Sequence, residues 1–457
     1  MGQERDKRRD MKKVTIRTGL GKVTGTEDNG IRMFRGIPYA VTERFELPKP
    51  YPKWDELDAT GPEIDCFQFR AYHKESIGRY WFYHSEFRYG QDIPDWKFAE
   101  SPMTLNVIAR ADAEKDPVLV FIHGGSFENG NVGEHPYGTS TEYAKRGIVY
   151  VSLGYRLNVF GLYKSGNYGL HDMVFGLRWV KEHIADYGGD PDRITIMGQS
   201  AGAMAVMDLL YTDILKDVVK SAVMMSGAGN VPDIAGPYTP EESDEKFWSI
   251  VRERAGAKTE EEFKAMPDQT IFDAWYATGR EIGSVRTQQP GIDGTIIPKM
   301  PSKIMKEGTY LDVPIIAGVT SQDYMPYLIY ELALNLGKLH AKRGQSPVWG
   351  YMFDRTPPGD RFKAFHAADL WYMFGNFDKS WRPFDDDDRR LKDEMADYVA
   401  NFVKTGDPNG AGLQNWPAIC KGNNKFRLFD GEGGGLIGPA QCRVKEWNSF
   451  LRDKGPM

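Results

Sequence analysis

The chain has 457 residues, of which 41% are hydrophobic, and this composition excludes an intrinsically disordered protein. Its 58 basic and 64 acidic side chains give a net charge of −6 at pH 7, so it has no electrostatic attraction to nucleic acid or to an anionic membrane surface. No apolar run approaches the length that a transmembrane helix needs.

The N-terminus and the cysteines both indicate an intracellular, cytoplasmic protein. Residues 1–12 are charged and have no apolar segment behind them, so they are predicted to be a solvated, disordered tail rather than a secretory signal. A myristoylation signal needs Ser or Thr at position 6, which is Asp here. Cys66, Cys420 and Cys442 are an odd and sparse set, which favours free thiols over a disulfide framework.

Apolar runs and helical patterns alternate along the chain. Residues 13–36 are predicted to form a β-hairpin region, in which Gly19-Leu20-Gly21 is a turn rather than a phosphate loop. The later predicted elements are strands at 104–109, 117–123, 147–153, 192–197, 219–225 and 313–317, and helices at 172–186 and 203–211. Apolar strands that alternate with helices predict an α/β fold, with a mostly parallel sheet covered by helices on both faces.

No internal repeat or long linker marks a domain boundary, so residues 13–457 are predicted to form a single domain. Helix-rich segments at about 240–285 and 324–403 are predicted to be cap insertions above the carboxyl ends of the strands. The aromatic-rich stretch from Tyr80 to Trp96 fits either a self-packing surface segment or one wall of a substrate pocket. The acidic run 385–388 is interpreted as a solvated turn rather than a calcium site.

The most specific motif is Gly198-Gln199-Ser200-Ala201-Gly202, which lies between a predicted strand and a predicted helix. Strand, Gly-x-Ser-x-Gly turn and helix form a nucleophile elbow, and a plain Gly-rich turn is the alternative. Glycine is needed on both sides of the serine because a side chain there would collide with the neighbouring strand or helix. The helix N-terminus favours an anion beside the serine. Ser200 is therefore predicted to be a nucleophile.

A second glycine motif, His123-Gly124-Gly125-Ser126-Phe127, follows the buried strand at 117–123. Paired glycines allow backbone N–H groups to point at one position, as in the oxyanion loops of lipases and esterases. Together with the N–H of Ala201, Gly124 and Gly125 are predicted to form an oxyanion hole. A tight turn after a strand is the alternative, and His123 is expected to brace the turn.

A reactive serine needs a base, and the base needs an acid that orients it. In α/β hydrolases both follow the serine in chain order. Of the eight histidines, His340 and His366 follow Ser200. His340 lies in a polar helical pattern typical of a solvated face, so His366, in a loop that enters a helix, is the predicted base. Asp323 follows the strand at 313–317 and is the predicted acid, although an Asp after a strand is elsewhere often a helix cap.

These ordered motifs resemble the type B carboxylesterase family, the cholinesterase-like branch of the α/β hydrolases, in a bacterial-type member. The resemblance extends from Val14 to Trp447. It includes Gly36-Ile37-Pro38-Tyr39-Ala40, Leu105-Asn106-Val107, Gly188-Gly189-Asp190-Pro191, Asp293-Gly294 and Thr405-Gly406-Asp407-Pro408. It implies the α/β-hydrolase fold, Ser200 as nucleophile, His366 as general base and acid, and Gly124, Gly125 and Ala201 as oxyanion donors. It also implies that Ser226 is a secondary serine near the histidine, for which an ordinary strand-end hydroxyl is the alternative.

The chain departs from the family pattern in four respects. Gln199 stands where the elbow usually carries Glu, which keeps the shape and hydrogen bonding but removes a buried charge. Asp323 holds the place of the family's Glu. Pro102 replaces a cysteine, so Cys66 loses its expected disulfide partner. The chain is shorter than many animal members, and the missing length is expected in the cap.

The predicted activity is that of a serine carboxylic-ester hydrolase that acts on a small-molecule ester through an acyl-enzyme, with no metal or organic cofactor. Aromatic residues near the predicted pocket favour aryl or short-acyl esters over long lipids. A binding protein that has lost the nucleophile is a second hypothesis, which the presence of serine, histidine, acid and glycines disfavours. The same machinery acting on an amide, a thioester or a carbamate stays open. Neither nucleic acid nor membrane is an expected partner.

Overall fold

The computed structural model describes residues 11–61, 64–68, 84–90, 97–227, 241–282 and 289–439. The strands are β1 (Lys12–Thr18), β2 (Gly21–Asp28), β3 (Ile31–Pro38), β4 (Ala40–Val41), β5 (Lys49–Pro50), β6 (Glu56–Asp58), β7 (Asp65–Cys66), β8 (Phe98–Ala99), β9 (Thr104–Arg110), β10 (Asp116–Ile122), β11 (Val149–Leu153), β12 (Gly189–Gln199), β13 (Val219–Met225), β14 (Ile315–Thr320), β15 (Val348–Phe353), β16 (Phe426–Phe429) and β17 (Gly435–Ile437). The helices are α1 (Glu142–Lys145), α2 (Asn158–Leu162), α3 (Tyr168–His183), α4 (Ala201–Leu210), α5 (Glu241–Ala255), α6 (Glu260–Lys264), α7 (Asp268–Ile282), α8 (Pro301–Glu307), α9 (Pro326–Arg343), α10 (Asp369–Phe374) and α11 (Asp386–Thr405).

A 13-stranded sheet runs through the molecule in the order β1-β2-β3-β9-β11-β10-β12-β13-β14-β15-β16-β17, with β6 beside β2. From β11 to β16 every neighbouring pair is parallel. The remaining pairs, toward both edges, are antiparallel, except that β6 pairs in parallel with β2. Every residue of β10, β11 and β14 is buried, as expected for strands covered by helices on both faces.

The predicted central elements are all present, which confirms the expected α/β architecture. The largest change in boundaries concerns the helix predicted at 172–186, which is found at Tyr168–His183 and continues as a short 3₁₀ turn, Ile184–Tyr187. The hairpin prediction is also confirmed, because β1 and β2 pair antiparallel through the turn at Gly19 and Leu20. The first strand begins at Lys12, so the last residue of the predicted tail 1–12 belongs to β1.

The segment predicted as a cap at 324–403 is more than a cap. It contains β15, which pairs in parallel with β14 and β16 inside the sheet. Helix α9 packs against β14 and β15, so it covers a sheet face. The prediction of this whole range as a cap was wrong because six consecutive buried residues, Val348–Phe353, form a central strand between two helical segments. The segment predicted at 240–285 does form helices, α5 to α7, whose apolar residues pack in a cluster with Phe45 and Phe160.

The acidic run 385–388 marks the start of a helix. Asp385 accepts a hydrogen bond from the backbone N–H of Asp388 at 2.9 Å, and the Asp388 carboxylate accepts from the N–H of Asp385 at 2.9 Å, which forms a capping box. Asp388 is fully buried and also accepts hydrogen bonds from Arg355 and Tyr372. The interpretation as a solvated turn was therefore wrong, because these carboxylates cap the N-terminus of α11 and complement its dipole.

The parallel strands bring several polar segments to one edge of the sheet. The carboxyl end of β10 leads into the loop of Gly124, the end of β12 into Ser200, and the end of β14 into Asp323. Carboxyl ends of parallel strands meet at the same edge, which is where open α/β sheets bind ligands. Among the described helices, none combines the length and the apolar composition that a membrane span requires.

Candidate active site

Ser200 occupies a sharp turn between β12 and α4. Its backbone has φ 55° and ψ −125°, a conformation that L residues rarely adopt and that requires support from the surrounding structure. A Cβ at Gly198 would lie 2.2 Å from the carbonyl oxygen of Gly202, and one at Gly202 would lie 2.1 Å from that of Ile122. Neither position has room for a methyl group, so the glycines of the motif are needed for the turn to form.

The structure brings the predicted base to the serine. His366 Nε2 lies 2.9 Å from Ser200 Oγ, within hydrogen-bond distance. On the other side of the ring, Nδ1 lies 2.8 Å from Oδ1 of Asp323. An ionised carboxylate only accepts hydrogen bonds, so Nδ1–H donates to Asp323 and Nε2 faces the hydroxyl as an acceptor. Three residues from distant parts of the sequence thus form a continuous Ser-His-Asp hydrogen-bonded chain.

The predicted acid, Asp323, is buried and accepts hydrogen bonds from several directions. Thr320 Oγ1 donates to Oδ2 of Asp323 at 3.0 Å, and the N–H of Tyr324 donates to Oδ1 at 2.8 Å. Burial opposes ionisation of Asp323, but the charge and hydrogen bond of His366, the Ser226 side chain and the Tyr324 N–H outweigh it and lower the pKa of this carboxyl. Asp323 is therefore a carboxylate across the neutral pH range.

Two carboxyl groups shift the pKa of the predicted base in the opposite direction. Burial alone would lower the pKa of His366, but the charge of Asp323, its hydrogen bond and the charge of Asp369 raise it above the ordinary value. A raised pKa means that the imidazolium is stabilised relative to the neutral ring. This is what a general base needs at the moment it takes a proton from a serine.

The loop that carries the acid is joined directly to the loop that carries the base. The backbone N–H of Gln322 donates to the carbonyl oxygen of Ala364 at 3.1 Å, and Gln322 forms an isolated parallel bridge with Phe365. Asp323 directly follows Gln322 in the chain, and His366 directly follows Phe365. The short connection between the two loops holds Asp323 and His366 close to each other.

The glycine loop after β10 lies against the serine. A Cβ at Gly124 would be 3.0 Å from Cβ of Ser200 and 2.6 Å from the carbonyl oxygen of Gln199. Gly125 has φ +109°, a left-handed conformation suited to glycine. Among the described residues, none accepts a hydrogen bond from the backbone N–H of Gly124, Gly125 or Ala201. These donors beside the hydroxyl are available to an oxyanion.

The predicted supporting residues lie near the base and the acid. The Gln199 amide nitrogen is 3.3 Å from Nε2 of His366, so it faces the same atom as the serine hydroxyl. Ser226 is buried at the end of β13 beside Asp323, and its hydroxyl has no regular hydrogen bond among the described residues. His123 is buried, its Nδ1 contacts the carbonyl oxygen of Gly124 at 2.9 Å, and its ring stacks on Tyr155 at 4.4 Å. His123 therefore braces the glycine loop, as predicted.

His340 was misjudged as part of a solvated face. The residue is fully buried, and its Nδ1 contacts the carbonyl oxygen of Ser346 at 2.8 Å near the C-terminus of α9. Charged residues on the other side of the helix concealed this buried position in the sequence. His340 contacts Ser346, whereas His366 is the histidine beside Ser200. His340 is therefore not the base because of its position, and not because it is exposed to solvent.

Cys66 and Cys420 are free thiols, and Cys442 lies outside the described residues. Burial raises the pKa of the Cys66 thiol, which keeps it protonated and unreactive. No group of three or more metal-ligating side chains is found in the part of the chain that the structure describes.

Sequence reasoning missed three features of the site. Asp369, at the start of α10, is a second buried carboxyl close enough to affect the pKa of His366. Tyr324 has its ring centroid 4.6 Å from that of His366. Phe365 packs under the guanidinium of Arg382, which lies 5.2 Å from the ring centroid. The spacing His-x-x-Asp at 366–369 was a usable signal for the first, whereas the other two are contacts that only the folded chain reveals.

Arg382 belongs to a buried ion pair that reaches the loop of the base. Its guanidinium donates to the Glu86 carboxylate at 2.7 and 3.2 Å and to Asp360 at 2.6 Å. The Trp371 indole also donates to Glu86, at 3.1 Å. Both Arg382 and Glu86 are buried. Glu86 belongs to the aromatic-rich stretch 80–96, of which the structure describes 84–90. Residues 85–88 are buried, whereas Tyr89 is exposed.

This chain is similar to known proteins over most of its length. The Carboxylesterase family matches the chain over residues 10–335 and 326–433. The para-nitrobenzyl esterase of Bacillus subtilis is 27% identical over 91% of this chain and 95% of its own length. Gut esterase 1 of Caenorhabditis elegans is 32% identical over 73% of this chain and 57% of its own length.

Solved structures extend the likeness to the whole fold. A thermophilic PNB esterase superimposes with a TM-score of 0.79 at 25% identity, over 94% of this chain and 99% of that one. A carboxylesterase of Geobacillus stearothermophilus superimposes with a TM-score of 0.75 at 25% identity, over the same shares of the two chains. The chain therefore belongs to the carboxylesterase family, and it is a carboxylic-ester hydrolase with the α/β-hydrolase fold.

Proposed function

We propose that Ser200 is the nucleophile of this hydrolase, His366 its general base and acid, and Asp323 the group that orients the imidazole. Ser200 Oγ attacks the ester carbonyl carbon while its proton moves to Nε2 of His366. Asp323 stabilises the imidazolium that forms. The N–H groups of Gly124, Gly125 and Ala201 bind the developing oxyanion, and each such donor is worth about 10² in rate.

The tetrahedral intermediate then collapses, the bond from carbon to the alcohol oxygen breaks, and Nε2 gives its proton to that oxygen. The acyl group stays on Ser200 as an ester. A water molecule that transfers a proton to His366 attacks this acyl-enzyme, and the second collapse releases the acid and restores the serine hydroxyl. Every proton transferred in the cycle passes through Nε2 of His366.

The observation that carries this proposal is the pair of distances around one imidazole, 2.9 Å from Nε2 to Ser200 Oγ and 2.8 Å from Nδ1 to Asp323 Oδ1. A base within hydrogen-bond reach of a nucleophile, itself oriented by a buried carboxylate, is the arrangement that activates a serine. The strained turn is independent support, and so are the N–H groups for which no described residue is an acceptor, because an inert surface serine requires neither.

Covalent labelling tests the assignment. A fluorophosphonate probe needs an activated serine, so it should label the native enzyme once and label Ser200→Ala not at all. Turnover of p-nitrophenyl acetate should fall by several orders of magnitude in Ser200→Ala. Ser226→Ala is the matched control, since Ser226 is a second buried strand-end serine, and this variant should still be labelled. Retained labelling in Ser200→Ala would move the nucleophile elsewhere.

We also propose that the substrates are small esters with an aromatic group. The support is the likeness to an enzyme named for para-nitrobenzyl esters, together with the aromatic ring of Tyr324 beside the base. A panel of esters with matched acyl groups and different alcohols tests this. Equal rates for aromatic and long aliphatic esters would refute the preference.

The location and the domain organisation belong to the same proposal. The two free cysteines among the described residues favour a reducing compartment, and hence the cytoplasm. Cell fractionation with an activity assay tests this, and activity outside the cytoplasmic fraction would contradict it.

Residues 13–457 are proposed to be one catalytic domain, with the helices of 240–285 as a cap. Limited proteolysis should release no smaller fragment that is stable on its own.

A further inference from the structure

The tyrosine that follows the proposed acid lies against the base. Its ring centroid is 4.6 Å from that of His366, with 45° between the ring planes, which is within the contact range of aromatic rings. The backbone N–H of Tyr324 donates to Oδ1 of Asp323 at 2.8 Å, so the residue is fixed to the acid by its own main chain. Tyr324 therefore has a defined position relative to the proposed acid and base.

The same ring is accessible from outside. Tyr324 is 48% exposed, whereas the side chain of His366 is 17% exposed. Next to it Met325 is also exposed. An aromatic ring that contacts a mostly buried base while half of its own surface stays open forms part of the entrance to the site. An incoming molecule that reaches Nε2 of His366 comes within reach of this ring.

The portion of an ester that approaches His366 is the alcohol. Nε2 must come within hydrogen-bond distance of the leaving oxygen in order to protonate it. The carbonyl oxygen lies instead toward the N–H groups of Gly124, Gly125 and Ala201, and the carbonyl carbon lies at Ser200. Because Tyr324 contacts the imidazole that carries Nε2, the alcohol group is the part of the substrate nearest to it.

We propose that Tyr324 forms one wall of the leaving-group subsite and makes the enzyme prefer esters of aromatic alcohols to esters of saturated alcohols of the same size. The inference rests on the proposed role of His366 as the acid that protonates the alcohol. In that step the bond from carbon to the alcohol oxygen breaks, its electron pair stays on the oxygen, and the Nε2 proton joins it. An aryl ring on that oxygen packs against the tyrosine in a geometry that a saturated ring cannot reproduce.

Benzyl acetate and cyclohexylmethyl acetate test the proposal, because they have the same acyl group and primary alcohols of nearly equal size. We expect the ratio of their kcat/KM values to fall by about 5-fold in Tyr324→Leu and to change by less than about 2-fold in Tyr324→Phe, which keeps the ring. Tyr51→Leu is the control, since Tyr51 is an exposed tyrosine whose ring contacts Trp54. This control should leave the ratio unchanged.

Both esters give the same acetyl-enzyme, so deacylation cannot distinguish them. An equal loss on both esters, or a slower deacylation of the acetyl-enzyme in Tyr324→Leu, would overturn the proposal and assign the ring to the support of His366. An unchanged ratio would overturn it as well. Failure of the proposed function has a different signature, namely turnover that persists in His366→Ala regardless of what the Tyr324 variants do.

Discussion

The Tyr351 hydroxyl donates a hydrogen bond to Oδ2 of Asp369 at 2.7 Å, while Oδ1 of the same carboxyl has no partner among the described residues. Burial raises the pKa of Asp369 to about 6, the Tyr351 hydrogen bond and His366 oppose this rise, and the charge of Asp323 adds to it. The enzyme thus holds a second carboxyl beside His366, and that carboxyl is costly to ionise in the folded state.

This raised pKa has a consequence for stability. An unfolded Asp loses its proton near pH 4, whereas folded Asp369 keeps it until about pH 6. The folded state binds the extra proton between these values, so the stability of the wild type falls as the pH rises through this window and stays lower above it. Asp369→Asn cannot ionise and still accepts from Tyr351. We expect this variant to become more stable than the wild type above pH 6, by up to about 3 kcal/mol.

Urea unfolding at pH 4.5, 6 and 7.5 measures this difference. The free-energy gap between Asp369→Asn and the wild type should widen with pH and then level off. Asp378→Asn serves as the control, since Asp378 is an exposed carboxylate in the first turn of a short 3₁₀ helix. A gap that stays constant over the three pH values would show that Asp369 does not titrate in this window.

Removing the charge of the proposed acid should affect both rate and pH profile. Asp323→Asn is expected to lower kcat/KM for p-nitrophenyl acetate by about 10⁴, because the imidazole loses the partner that fixes its tautomer. Asp323 also raises the pKa of His366, so the acid limb of the residual activity should move to lower pH. Asp213→Asn, an exposed surface change, should have neither effect. A loss below about 10-fold would assign the acid to another residue.

The glycine loop leaves no space for a methyl group at position 124. In Gly124→Ala the new Cβ would lie 2.6 Å from the carbonyl oxygen of Gln199 and 3.0 Å from Cβ of Ser200. The loop must shift away from the serine, so its N–H donors lose their aim, and kcat should fall by about 10² to 10³. Gly422→Ala is the control, because a Cβ there meets no atom within 4 Å. Thermal unfolding should show whether the variant stays folded, and full activity in Gly124→Ala would exclude this loop from the oxyanion hole.

The buried pair of Arg382 and Glu86 should matter most when one partner is lost. Arg382→Met leaves the Glu86 carboxylate buried without its main counter-charge, so a loss of about 3–5 kcal/mol in the free energy of unfolding is expected. Glu86→Gln combined with Arg382→Met removes the unpaired charge and should recover a large part of this loss. A double-mutant cycle measured by urea unfolding checks the coupling. Additive effects of the two changes would contradict it.

The sequence predicted those parts of the site that depend on local geometry. The elbow and the glycine loop are short motifs whose glycines are required by contacts within a few ångströms, so they are readable without the fold. His366 and Asp323 were predicted from chain order, together with the position of His366 in a loop that enters a helix and that of Asp323 after a predicted strand. The structure brings both to Ser200, although chain order alone carries no distances.

The parts that the sequence did not predict depend on packing between distant segments. His340 is surrounded by polar residues in the chain but faces the core, because one side of α9 covers the sheet. The strand β15 was not predicted, because its six residues lie between two segments with helical patterns. Tyr324 acquires its significance only from its closeness to His366, since a phenol ring in a loop carries no signal of its own. The His-x-x-Asp spacing places Asp369 near His366, but it does not reveal that the carboxyl of Asp369 is buried.

The backbone hydrogen bond from Gln322 to Ala364 links the loop of the proposed acid to the loop of the proposed base. Anyone who builds chimaeras between this enzyme and its relatives has to transplant residues 320–325 and 358–368 as one unit. A crossover placed between them would combine the proposed acid of one parent with the proposed base of the other. The contact between the two loops would then join residues that do not occur together in either parent. Such hybrids should fail as catalysts until both segments come from the same parent.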